Sequence, residues 1–295
     1  MSPKIWLIIS AVMLGFIGIV TYGLPFEGEL VSLSRSAVGG LFVFAFCLVT
    51  KRKMNMELVK KNAVLLILSG AALGINWVFL FEAYKLINVS ITTVCYYLAP
   101  VIVTAVSPFI LKEKLNAGNV ACVLTALLGL ILVTGLGTEM TEYTILGVIY
   151  AVSAATLYAS IIIMNKKMAG LGGIERTVFQ LGTSAAVMLP YAFFVGAFPT
   201  GETSIGSGDI LNLLFLSIVL TGIVYLIFFS VVDKVKTQTI SVILYIDPIT
   251  AIILSSLILS ERMSPIQIFG TALILGATFV NEVVLNKFKK TEENI

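Results

Sequence analysis

Tyr96-Tyr97-Leu98-Ala99-Pro100, running on to Leu111-Lys112-Glu113-Lys114, decides the fold because it occurs twice. Moving 148 positions forward gives Leu244-Tyr245-Ile246-Asp247-Pro248, running on to Leu259-Ser260-Glu261-Arg262. With no gap, Phe81/Phe229, Val94/Val242, Tyr97/Tyr245, Pro100/Pro248, Ser107/Ser255, Ile110/Ile258, Leu111/Leu259 and Glu113/Glu261 are identical pairs. A repeat half a chain long exceeds a solenoid unit and fits a duplicated half-protein. Each copy also sets a proline in the middle of an apolar run.

Working outward, the solvent follows from composition. The chain is 58% hydrophobic and 12% charged, with a mean hydropathy of +1.04, against about a quarter charged in soluble domains. Its solvent is lipid, and its length is counted in spans of about 20 residues. A net charge of +3 gives no reason to expect nucleic acid. Cys47, Cys95 and Cys122 lie inside apolar runs without ligand spacing, so neither a disulfide framework nor a metal site is expected. With no histidine in the chain, any proton coupling falls to a carboxylate. No cofactor is expected.

Ten runs are long and apolar enough to cross a bilayer: about 4–24, 29–50, 62–84, 89–111, 117–136, 144–166, 174–197, 209–232, 237–260 and 265–287. The first is read as a span rather than a cleaved leader, since no A-x-A-like site follows it. Breakers and charges separate the runs, as at Pro25-Phe26-Glu27-Gly28, Lys51-Arg52-Lys53 and Gly170-Leu171-Gly172-Gly173. Of 19 Lys and Arg, all but Arg35, Lys85 and Arg262 fall on the side of the termini. The positive-inside rule then puts both termini in the cytoplasm of a multi-pass inner (plasma) membrane protein.

Five spans per half is an odd number, so the two copies run in opposite senses. The expected fold is an all-α membrane protein of ten transmembrane helices, two inverted five-helix repeats around a central cavity. The division is 1–138 for the first repeat, 139–290 for the second and 291–295 for a short polar tail. Inverted halves are a transporter's architecture, because they exchange conformations and open a midplane site to either side.

Asn76-Trp77-Val78-Phe79-Leu80-Phe81-Glu82-Ala83-Tyr84, the Tyr-Tyr-Leu-Ala-Pro stretch, the Pro-to-Glu spacing in both halves, Arg35 and Phe179-Gln180 resemble the EamA family of the drug/metabolite transporter superfamily. The resemblance covers essentially the whole chain. It implies a central cavity between spans one to four and six to nine, with spans five and ten peripheral. It implies export, with the cargo left open among amino acids, other metabolites and drugs. The related small four-span multidrug transporters carry a glutamate in their first helix. Neither span one nor span six has an intramembrane acid here, so that mode of cation-for-proton exchange would need Asp247 in its place.

Pro100 and Pro248 are hinge candidates. Each sits about 11 residues, roughly 16 Å, into its helix and deprives a carbonyl four residues earlier, at Tyr96 or Leu244, of its donor. In hydrocarbon a freed carbonyl needs a partner or a wet cavity. Thr93, Tyr97, Pro100, Thr104 and Ser107 share one helix face; Tyr97 and Tyr245, beside the kinks, are the cavity candidates. Asp247 lies near mid-span, where a charge costs about 2.5–3.5 kcal/mol even on the lower scales. Three roles compete for it: the proton-coupling carboxylate, a ligand for a substrate amine, or a latch hydrogen-bonded to Thr250 or Tyr97.

Asn76, Trp77 and Tyr84 in span three and Tyr158 in span six are further candidates, each equally suited to an interfacial belt. Arg35 and Glu82 are candidates for an external gate through a cross-helix pair, although charges near a helix end also snorkel or pair locally. Gly70-x-x-x-Gly74 is expected to pack closely within the bundle. Glu113-Lys114 and Glu261-Arg262 are expected to end their helices at the membrane surface. The functional expectation is an alternating-access carrier exporting a small metabolite such as an amino acid. The alternatives are a multidrug or organic-cation exporter and a non-transporting scaffold or sensor. An enzyme is not expected, since no nucleophile–base pair, ligand cluster or phosphate loop appears. The partners expected are a small-molecule substrate and the bilayer, with the chain a monomer or homodimer.

Overall fold

The computed structural model describes residues 2–52, 54–112, 115–134, 142–168, 170–199, 205–231, 234–235 and 237–285, and the described residues are helical with short connections. Eight helical runs are long and apolar enough to span: α1 (Pro3–Tyr22), α2 (Gly28–Val49), α3 (Ala63–Leu86), α4 (Val89–Ile110), α5 (Ala117–Thr134), α6 (Glu142–Lys167), α7 (Gly173–Val195) and α8 (Ser207–Val231). Two shorter ones complete the second half: α9 (Thr237–Leu244 and Ile246–Ile258) and α10 (Pro265–Phe279, extended by a π-helical Val280–Leu285). Glu113 and Lys114, and the tail at 291–295, lie outside the described residues.

Both proline stretches break their helices at the same place. In α4 the helix stops at Tyr96 and restarts at Ala99; in α9 it stops at Leu244 and restarts at Ile246. Missing N–H groups at Pro100 and Pro248 account for both interruptions. The repeat also carries its stop signal. Lys112 and Ser260, equivalent positions just past α4 and α9, take left-handed φ angles of 57° and 56°. Such angles cost a non-glycine residue about 1–2 kcal/mol, so two equivalent instances mark a turn the fold maintains.

Two repeat-equivalent pairs touch across the molecule. Ser36 and Ser184, 148 positions apart, bring their hydroxyls within 2.6 Å. The rings of Tyr97 and Tyr245 have centroids 6.4 Å apart. Equivalent residues related by a two-fold rotation meet only on its axis, so the axis passes through the α2–α7 crossing and the Tyr97–Tyr245 contact. Packing follows the same symmetry. α3 lies on α6 as α8 lies on α1, and α2 lies on α8 as α7 lies on α3. α5 and α10 pair chiefly with each other at the periphery.

Small residues permit these contacts where water does not drive them. α6 buries Gly147, Ala151, Ala154, Ala155 and Ala159. A methyl placed on Gly129 would stand 2.7 Å from the Gly270 carbonyl oxygen, and one on Gly270 the same distance from that of Gly129. Gly70 and Gly74 admit Gln180, Thr183, Ser184 and Met188 of α7, so the close packing expected of them is within the chain. Large apolar side chains such as Leu48, Val49, Phe109, Phe194 and Leu257 point outward, the inverse of a soluble fold. An apolar groove of about 710 Å³ between α2, α3 and α7, walled by Leu41, Phe44, Ile67 and Phe179, belongs to this outer surface.

Candidate functional site

The breaks in α4 and α9 face each other and build the centre of the site. Tyr97 donates its hydroxyl to Asp247 Oδ2 at 2.7 Å and stands 3.3 Å from the carbonyl oxygen of Leu244. That carbonyl is the one freed by Pro248, so the tyrosine of one repeat satisfies the kink of the other. Asp247 occupies the first turn of the restarted helix, where unpaired N–H groups and the helix dipole favour an anion. Tyr96, Tyr97, Tyr225 and Asp247 are each half-buried.

The other sequence candidates fall around this centre. Tyr158 stacks on Tyr96 with centroids 5.2 Å apart, so it joins the aromatic wall. Tyr245 sits between Tyr97 and Phe279, the latter edge-on at 5.6 Å. Asn76 is fully buried; its amide donates to the Ala154 carbonyl at 2.5 Å and its oxygen accepts from Tyr96 Oη at 3.3 Å. It pins α3 to α6 and orients Tyr96. Tyr84 is buried in the core with Phe81, Trp77 and Val89. Trp77 is likewise buried, its ring facing the guanidinium of Arg35.

The Arg35–Glu82 pair expected from the sequence does not form. Arg35 lies two turns inside α2, 2% exposed, donating from Nε to Thr221 Oγ1 at 2.9 Å and lying 3.9 Å from the centroid of Trp77. Glu82 is at the helix end instead. It accepts from the backbone N–H of Gly28 at 2.9 Å, capping the start of α2, and pairs with Lys85 at 2.9 Å. Lys85 also holds Glu27 at 2.6 Å. Depth separates the two residues: Arg35 is about 10 Å along its helix from the N–H that Glu82 caps.

Glu261 does more than end a helix. Its carboxylate accepts from the N–H of Val89 at 2.7 Å, the N–H of Ser90 at 3.1 Å and the Ser90 hydroxyl at 3.0 Å, while Ser90 also meets the Ser255 hydroxyl at 2.5 Å. The left-handed turn at Ser260 directs it there. Glu261 thus clamps the start of α4 to the end of α9. At this end of the bundle, opposite the N-terminus, Val89–Tyr96 packs on Ile246–Ile258. Past the breaks, Ala99–Ile110 packs on α5 and α6, and Thr237–Leu244 on α1 and the last turns of α10.

Sequence reasoning passed over Tyr96, Thr221 and Tyr225. Tyr225 had a signal, being the repeat equivalent of Trp77. Thr221 had none, because it reaches Arg35 from a nine-residue π-helical segment, Phe215–Ile223, whose altered register no apolar pattern reveals.

Two inverted five-helix units, broken opposite one another where tyrosines of both repeats meet a carboxylate, define a membrane transporter of the two-repeat type. The chain belongs to the EamA-like transporter family, matching it over residues 1–135 and 145–282. It is similar to the uncharacterized transporter YxxF of Bacillus subtilis (strain 168), 32% identical over 278 residues, 93% of this chain and 88% of that protein. It is similar at 22% identity over 265 residues, 89% of this chain and 84% of that one, to the threonine/homoserine exporter RhtA of Escherichia coli (strain K12). A solved crystal structure sharing 19% identity superposes with a TM-score of 0.64 over 96% of this chain and 98% of its own, a likeness of fold. A transporter of this kind is not an enzyme.

Proposed function

We propose that the protein exports a small amphipathic metabolite, an amino acid foremost, across the inner (plasma) membrane by alternating access. The observation that carries this is the Tyr97–Asp247 hydrogen bond, made between the break of one repeat and the break of the other. A substrate ammonium entering between α4 and α9 would replace the Tyr97 hydroxyl as the partner of Asp247. Its departure would leave the carboxylate to a proton or to Tyr97, which makes Asp247 the candidate coupling site for proton exchange. Similarity to a threonine/homoserine exporter supports the cargo class.

Direction comes from the basic residues, which put the termini in the cytoplasm. The clamped end then faces outside, so in the proposed cycle this arrangement is the one closed to the outside. In the proposal the repeats meet near residue 138, 291–295 is a cytoplasmic tail, and the unit is a monomer or homodimer. Purified protein in liposomes, loaded with radiolabelled threonine, homoserine and other amino acids, tests it by counterflow. Absence of flux for every amino acid sinks the cargo, and absence of flux for any solute leaves a scaffold or sensor.

The stacked Tyr96–Tyr158 pair beside a carboxylate favours a second reading, an exporter of aromatic cations. Quenching by a fluorescent aromatic cation in the same liposomes separates the two.

A further inference from the structure

Among the described residues, Arg35 is a cation without a paired anion. It is among the largest fully buried side chains of the protein, and its described contacts are neutral: the Thr221 hydroxyl, the face of Trp77 at 3.9 Å and Phe81 at 5.4 Å. Among the described residues no carboxylate pairs with it. Glu27 and Glu82 hold Lys85, Glu261 holds the start of α4, and Asp247 holds Tyr97. A guanidinium has five N–H donors in a planar fork, and Thr221 accounts for one. Charges kept inside a membrane protein at such cost line substrate paths.

The surroundings are built around this group. Trp77 lays its face on the guanidinium, and Tyr225, its repeat equivalent, packs against the buried cluster to which Trp77 belongs. The π-helical stretch of α8 delivers Thr221 to Nε, and the same stretch sets Ser217 against Ser34 at 2.9 Å, fixing α8 to α2 on either side of the arginine. Tyr84 belongs to that buried cluster and Tyr96 packs against it, while Tyr97, the next residue, holds Asp247. One aromatic cluster therefore connects Arg35 to the Tyr97–Asp247 pair.

We infer that Arg35 is the carboxylate subsite of the transport cavity, its guanidinium receiving the carboxylate of the solute whose ammonium Asp247 receives. The pairing rests on the amino-acid reading, but the carboxylate preference of Arg35 stands or falls by itself. A carboxylate that reaches Arg35 meets a fork whose geometry matches its two oxygens, and Trp77 and Thr221 hold that fork in orientation. A zwitterion would neutralise both charges at once. An organic cation without a carboxylate would leave Arg35 unmatched.

Full-length protein in detergent tests this by competition binding with matched probes: threonine against threoninamide, and lactate against lactamide. Each amide keeps the shape of its acid and lacks the anion. Wild type is expected to prefer the acid of a pair at least about ten-fold, since an unmatched buried charge is costly. Arg35→Gln is expected to bring that ratio to about one while amide binding persists; Arg35→Lys, which keeps charge but loses the fork, falls between. Equal binding of acid and amide by wild type overturns the subsite, as does binding of amides alone or of neither. An equal loss of both ligands in a folded Arg35→Gln protein makes Arg35 a helix clamp and also overturns it. Lactate preference without threonine binding refutes the amino-acid cargo and leaves the subsite standing.

Discussion

Tyr97 Oη lies 2.7 Å from Asp247 Oδ2, so the one acid near mid-membrane is held by a residue of the other repeat. The same hydroxyl reaches the carbonyl that Pro248 leaves without a donor. Helix break, carboxylate and symmetry axis coincide within one hydrogen-bonded group. In the proposed cycle a motion of α4 against α9 would change the partner of Asp247, and a change of partner at Asp247 would bias that motion. Coupling of this kind needs no pathway of intermediaries.

Asp247→Asn is therefore expected to keep the fold and lose the response to pH. The amide still accepts from Tyr97 but cannot exchange a proton. Counterflow into liposomes, with and without an imposed proton gradient, reads this out. Acceleration of the Asn variant by the gradient would remove Asp247 as the coupling site.

Tyr97→Phe keeps the ring and removes the donor. It leaves Asp247 without its described partner and the Leu244 carbonyl in a membrane interior without one. About 1 kcal/mol of stability is expected to go with it, together with most of the flux, while the response to a proton gradient persists. Melting and counterflow on the same preparation check both, and unchanged flux would deny the hydroxyl a part in transport.

Opposite orientation of the repeats has a direct test. Cysteines replacing Asn116, after α4, and Met263, after α9, occupy corresponding loops of the two halves. In a cysteine-free background an impermeant thiol reagent is expected to label Met263→Cys from outside and Asn116→Cys only from the cytoplasm. Labelling from one side alone would end the inverted arrangement.

The fold was legible because lipid imposes strong rules. Apolar runs of fixed length, an excess of basic residues on one side, and a proline repeated at the same depth each have one physical cause, and the helices and both breaks follow from them. The site was legible in part. Tyr97 and Asp247 stood out because a mid-span acid and a tyrosine beside a kink are costly there. Arg35 was given the wrong neighbour, since its contacts to Trp77 and Thr221 depend on how α2 meets α3 and α8. Glu261 looked like a helix end for the same reason: its partners, Val89 and Ser90, lie over 170 residues away in the chain.

That clamp supports the last prediction. Glu261 makes three hydrogen bonds to the start of α4, where helix N–H groups and the dipole favour its charge. Glu261→Gln keeps an acceptor but loses the charge and one of its two equivalent oxygens. A loss of about 1–2 kcal/mol shifts a two-state population by about 5–30-fold. In a cysteine-free background, Ser255→Cys, buried behind the clamp, is expected to react with external impermeant reagent faster by that factor when Glu261→Gln is added. Glu113, the repeat equivalent, is expected to serve the opposite state, so Glu113→Gln should slow the same reaction. If both substitutions move the rate the same way, the two glutamates are not exchanging a clamp between the two sides of the membrane.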